Sequence, residues 1–170
     1  MKIIEAMKAV KANKEKVADL QARIASVSAN LSHETPVYGV DTARKIKEWL
    51  QSCTDISQEN VRLLCAIAKT NLATSVTIEI NGKSVTKTIA EWVWRRREYA
   101  ATDMQTYAKL TDRGLKEGQL GTSTGDPISI TIVRHYDPSA RDEKLSEYRQ
   151  EPHRIDAALE VVNATTDLTE

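Results

Sequence analysis

The chain has 170 residues, and its 24 Lys and Arg cancel its 24 Asp and Glu. A net charge of zero removes the whole-molecule positive field used by sequence-independent binders of nucleic acid or anionic membranes, so only a local patch could do such work. Phe is absent and aromatic residues make up 5%; the core must therefore come from Leu, Ile, Val and Ala, which suits packed helices, and the length suits one domain, 1–170.

The first helix is expected from Lys2 to Leu31. Ile3, Val10, Val17, Ile24 and Leu31 repeat every seven residues, with Ala6, Asn13, Leu20 and Val27 three residues after the first four. Such a stripe must meet another helix. Val10, Val17, Leu20, Ile24 and Val27 are therefore candidate interface residues, and Asn13 within the stripe could set register. The lysines spread through MKIIEAMKAVKANKEK do not make a basic start before an apolar run, so no secretory signal is expected. No apolar stretch approaches the roughly 18 residues of a membrane span.

SHETPVYG breaks the pattern at Pro36 and Gly39, and Asp41 is a plausible N-cap for a second helix ending near Leu72. Ile46, Cys53 and Ile67 lie on one heptad line, with Trp49, Leu50, Leu63 and Leu64 beside it. The short connection makes the two helices antiparallel neighbours, a helical hairpin over 1–72. Cys53 and Cys65 would be about 18 Å apart along that helix, whereas bridged Cα atoms lie within about 7 Å. They are expected as buried free thiols, which fits a reducing cytoplasm.

Over 74–85 the period changes to two. Val76, Ile78 and Ile80 alternate with Thr77 and Glu79 before Asn81-Gly82, a strong signal for a two-residue hairpin turn. The implied register sets Ile80 opposite Lys83 and Ile78 opposite Val85. A third helix follows over 86–115, with capping-box spacing at Thr88 and Glu91. Segment 116–127, with three glycines, reads as a flexible loop. Ile128, Ile130 and Ile132 mark a strand over 128–134 that would add to the hairpin, and Asp137-Pro138 opens a last helix over 138–163, kinked or split near Pro152. The expected fold is α+β, mostly α, with a three-stranded antiparallel sheet and the order α-α-β-β-α-β-α.

The MKIIEAM opening, the TNLATSVTIEINGKSVT hairpin running into a helix, the strand ISITIV and the closing NATTDL together resemble the septicolysin-like family of small helical proteins of bacteria and tailed bacteriophages, over nearly the whole chain. The resemblance implies a helical, oligomeric protein whose relatives largely lack a defined activity, and it carries over no catalytic residue. The chain departs from that pattern in its longer 116–127 loop, in Pro152 and in the run Trp92-Val93-Trp94-Arg95-Arg96-Arg97. The family name suggests a cytolysin, yet no apolar spanning segment supports a pore.

Trp92, Trp94, Arg95, Arg96 and Arg97 could together stack on bases and touch phosphates. On a helix, however, neighbours point about 100° apart, so the arginines fan around the cylinder. A solvated or salt-bridged face, with a tryptophan in an interface, is the better reading. His33, His135 and His153 match no zinc or iron spacing, GQLGTSTG lacks the Gly-Lys-Ser/Thr ending of a phosphate loop, and a helix interior suits a cysteine nucleophile poorly. No cofactor, metal, small-molecule substrate or enzymatic activity is expected. The expected function is structural: a homo-oligomer, most concretely a bacteriophage virion component such as a capsid-associated or neck subunit, partnered by itself and other virion proteins. Nucleic acid and membrane are not expected partners, and the place is the cytoplasm or the virion. The alternative is a cytoplasmic adaptor or nucleic-acid-associated module using the Trp92–Arg97 helix.

Overall fold

A computed structural model describes residues 1–123 and 125–169. Two positions of the expected elements, Thr124 of the 116–127 loop and the terminal Glu170, lie outside them. In chain order the elements are α1 (Ile3–Val27), a 3₁₀ turn (Gly39–Asp41), α2 (Thr42–Ala73), β1 (Ser75–Ile80), β2 (Lys83–Thr88), α3 (Ile89–Trp94), a π-helical turn (Arg95–Tyr99), α4 (Ala100–Ala108), β3 (Gly118–Thr122), β4 (Gly125–Ile130) and α5 (Pro138–Thr165). The fold is mostly helical with small antiparallel sheets. Residue contacts group the chain, expected above to be one domain, into two compact units.

The first unit holds Met1–Ser75, Thr88–Ala90 and the chain from residue 159 on. Here α1 and α2 pack as an antiparallel hairpin. Ala6 and Val10 meet Leu63, with Ala9, Ile67 and Leu168 around them. The Asn13 amide donates to Asn60 Oδ1 at 3.0 Å, so the polar residue in the heptad stripe sets the register of the two helices. Residue sums near 73 define that register. Extending it sets Val17 beside Ile56, Leu20 beside Cys53 and Ile24 beside Trp49. The chain ends close the base. Ile3 N–H donates to Thr166 O at 3.0 Å and Leu168 N–H to Met1 O at 2.9 Å, while Lys2 Nζ reaches Asp167 Oδ2 at 2.6 Å and Thr165 O at 2.8 Å. The opening and closing motifs therefore meet in space.

The second unit holds Val76–Lys87 and Glu91–Ala158. Asn81 and Gly82 have φ of 52° and 73°, the two positive angles of a type I′ turn, whose twist matches that of the flanking strands. Thr77 and Thr86 hydroxyls lie 2.7 Å apart across the strands, in the register that pairs Ile78 with Val85. Nothing lies within 4 Å of a Cβ built on Gly82, so Gly82→Val meets only backbone strain. It should cost about 1–3 kcal/mol, read as a lowered thermal midpoint; an unchanged midpoint would refute the turn assignment.

Two expectations need correction. The sheet is not three-stranded: β4 pairs with β3, Leu120 opposite Ile128 and Gln119 opposite Ser129, in a separate two-stranded hairpin. Part of the expected flexible loop is therefore strand. The third helix ends at Ala108, not Leu115, and could not have reached Leu115, since Arg113 and Gly114 take φ of 56° and 72°, outside helical space. The last helix, expected to be kinked or split near Pro152, runs across it without a split. Proline removes a single backbone donor there, and the turns on either side keep their own hydrogen bonds. Its start is capped by Asp137 Oδ1, which accepts from Ser139 N–H at 2.9 Å, a standard way to satisfy an orphan donor.

Candidate functional site

The expected interface residues fall on two surfaces. Val10 is buried at the base of the helical hairpin, whereas Val17, Leu20, Ile24 and Val27 are half-buried. They face α2 of the same chain, so helix 1 pairs within its own molecule. Two helices cover only one side of each other. The buried residues of α1 are Ile3, Ala6 and Val10, and those of α2 are Leu63 and Thr70; from 11 to 62, among the described residues, no side chain is buried. The connecting segment is held by an edge-on contact of Tyr38 and Trp49, ring centroids 5.6 Å apart.

On the outer side of α2, Leu50 is 52% exposed, Val61 61% and Leu64 47%. A groove of about 380 Å³ lies on this side between Val17 and Gln21 of α1 and Thr54, Ser57, Gln58 and Val61 of α2. Cys53 is half-buried beside it and Cys65 is exposed; both are free. The expectation of two buried thiols is thus corrected: Cys53 is half-buried, and Cys65, about 120° around the helix from it, is exposed.

The second surface belongs to the other unit. Trp92 is buried, its indole N–H donating to Val76 O at 3.0 Å, and the Lys87 ammonium sits 5.8 Å from its ring centroid. Trp94 is exposed. The π turn that follows inserts an extra residue into the helix, a rare device that re-aims side chains. Arg95 opens it. Its guanidinium holds Glu151 with two bonds, Nε to Oε1 at 2.6 Å and Nη2 to Oε2 at 2.9 Å, and Asp103 Oδ2 with a third at 2.5 Å. It also lies 5.5 Å from the Tyr148 ring centroid, itself 5.7 Å from Tyr107. The Glu151 carboxylate holds the guanidinium charged well above its ordinary range, against the opposing effect of burial. Burial, with Asp103 nearby, pushes the Tyr148 hydroxyl above its usual value.

Arg96 pairs with Asp156, and Arg97 is exposed. The three arginines do fan around the helix, and two are engaged by carboxylates. Arg95 and Arg96 therefore have few donors left for phosphate, and Trp92 has no free face. Beside Arg95 a cleft of about 490 Å³ is lined by Lys87, Glu91, Trp94, Tyr99 and Asp103. His33, His135 and His153 are all exposed, and among the described residues no group of three His, Cys, Asp or Glu is placed to hold a metal. No helix of the described residues is long and apolar enough to cross a membrane.

Asp112 and Asp167 are held below the usual carboxylate range, chiefly by hydrogen bonds from Arg134 and Lys2 respectively. A depressed carboxyl stabilises the fold above its unfolded pKa, and that contribution fades as pH falls through the folded value. The contribution of these two groups should thus be complete above about pH 5 and fade beneath it, and the loss of stability in acid should shrink in an Asp112→Asn, Asp167→Asn double variant. Urea titrations at pH 7 and pH 3 check this.

No protein-family model matches the chain, and no curated protein matches it. Among solved structures it is similar to a functionally unknown conserved protein from Corynebacterium diphtheriae, with a TM-score of 0.59 and 18% identity over 99% of each chain. At that identity the likeness is one of fold.

Proposed function

We propose that the protein is a non-enzymatic assembly protein that works as a homo-oligomer through its helical hairpin. The observation that carries this reading is the exposure of Leu50, Val61 and Leu64 on the side of α2 that α1 leaves uncovered. Apolar side chains left at this density on a folded surface favour association by about 25 cal/mol for each Å² withdrawn from water. The resemblance to septicolysin-like proteins supports the more concrete version, a subunit of a bacteriophage particle such as a capsid-associated or neck protein, located in the cytoplasm before assembly and in the virion after it. Pairing of Arg95 with Glu151 and Asp103, and of Arg96 with Asp156, weighs against the nucleic-acid alternative.

Light scattering tests the first step. The expected mass is a multiple of the 19.0 kDa chain, and a monomer at tens of micromolar would overturn it. Mass spectrometry of purified virions tests the second, where absence of the chain would remove the particle role.

A further inference from the structure

The exposed side of α2 carries a second seam. Leu50, Thr54, Ser57, Val61, Leu64 and Ala68 recur at alternating intervals of four and three residues, so they form one line along the helix. All six are exposed. At about 100° per residue this line lies roughly a quarter-turn from the side that meets α1, so the two seams are distinct.

Charge avoids it. In a chain with 28% charged residues, residues 50–68 contain only Asp55, Glu59 and Arg62, and helical geometry places all three well over 100° from the line. Arg62 and Glu59 are bonded to each other there, at 2.8 Å. Around the helix from the line, Gln51, Gln58 and Cys65 are uncharged, and Arg62 and Lys69 share that flank. The two hydroxyls on the line are already satisfied: Thr54 Oγ1 donates to Leu50 O at 3.2 Å and Ser57 Oγ to Cys53 O at 2.8 Å. Burying them therefore leaves no unmade donor, the usual penalty for enclosing Ser and Thr.

The sequence of sizes along the line identifies the occupant. Read forwards it is Leu, Thr, Ser, Val, Leu, Ala, and read backwards Ala, Leu, Val, Ser, Thr, Leu. Laid antiparallel on itself, every layer holds one large and one small side chain: Leu50 on Ala68, Leu64 on Thr54, Val61 on Ser57. This is the alternation that fills an interhelical layer without voids. The line is about 27 Å long. With the adjoining flank of α1, about two helix diameters wide in all, two copies would withdraw roughly 1,000 Å² in total, about what a specific interface requires.

We infer that α2 of one copy packs antiparallel against α2 of a second about a two-fold axis near Gln58, joining two helical hairpins into a four-helix bundle. The inference rests on the oligomer reading above and specifies its partner and register. Val61→Asp tests the surface: because Val61 is already exposed, the variant should keep native circular dichroism while its mass by light scattering falls to that of one chain. Retained native mass would overturn the proposed interface. Cysteine cross-linking in a Cys53→Ala, Cys65→Ser background tests the register. Gln58→Cys, beside its own copy across the axis, should form a covalent dimer on mild oxidation, whereas Leu50→Cys, about 27 Å from its copy, should not. A dimer that links at 50 but not at 58 would overturn the antiparallel register while leaving oligomerisation intact; a monomeric native protein would overturn both.

Discussion

Arg95→Ala should destabilise the protein by about 3–5 kcal/mol, because it leaves a carboxylate buried with no counter-charge. Glu151 is 4% exposed and takes both of its short bonds from this one guanidinium. Denaturant titrations at pH 7 measure the loss. Replacing both partners by apolar side chains, Arg95→Met with Glu151→Leu, should recover most of the loss, since what costs is the orphaned charge and not the missing pair. A loss below 1 kcal/mol for Arg95→Ala at pH 7 would show that water reaches Glu151.

The parts of this architecture that were legible in the sequence are those fixed by neighbours along the chain. The stripe from Ile3 to Val27 announces a helix that needs a partner, and the brevity of the following connection makes α2 that partner. Asn81-Gly82 selects a type I′ turn because both residues tolerate positive φ, and the strand register follows from the turn. The second hairpin was hidden for the converse reason. β3 offers one large apolar residue, Leu120, between two glycines, so no alternation betrays it, and from sequence its partner strand has only the first hairpin to join. Leu120, Ile128 and Ile130 all remain exposed, so not even burial would have marked them. The ion cluster at Arg95 lies further from reach. Its partner Glu151 comes 56 residues later, beside a proline that reads as a helix breaker, and the π turn that presents Arg95 has no residue signature. The α2 seam was visible in composition, but Leu50 and Leu64 read as part of the stripe facing α1, because a quarter-turn around a helix is a small difference in sequence spacing.

Trp92→Ala should cost about 3–5 kcal/mol, the range for emptying the space of a buried tryptophan. Trp92 is 1% exposed and is the largest of the fully buried side chains. It anchors the helix that follows the first hairpin to that hairpin through the bond from its indole N–H to Val76 O. Two contributions can be separated with a second variant. Trp92→Phe keeps an aromatic ring but removes the donor, and it should lose about 2 kcal/mol, from an unmade hydrogen bond to a strand carbonyl together with the smaller ring volume. The difference between the two variants then reports packing alone. The near-ultraviolet circular dichroism of the native protein supplies an independent check. Trp94 is 56% exposed, whereas Trp92 is buried and Trp49 is half-buried against Tyr38, so both give a rigid tryptophan signal and the share owed to Trp92 should be lost in both Trp92 variants. An undiminished signal in Trp92→Phe, with unchanged stability, would mean that the indole is not held by the strand.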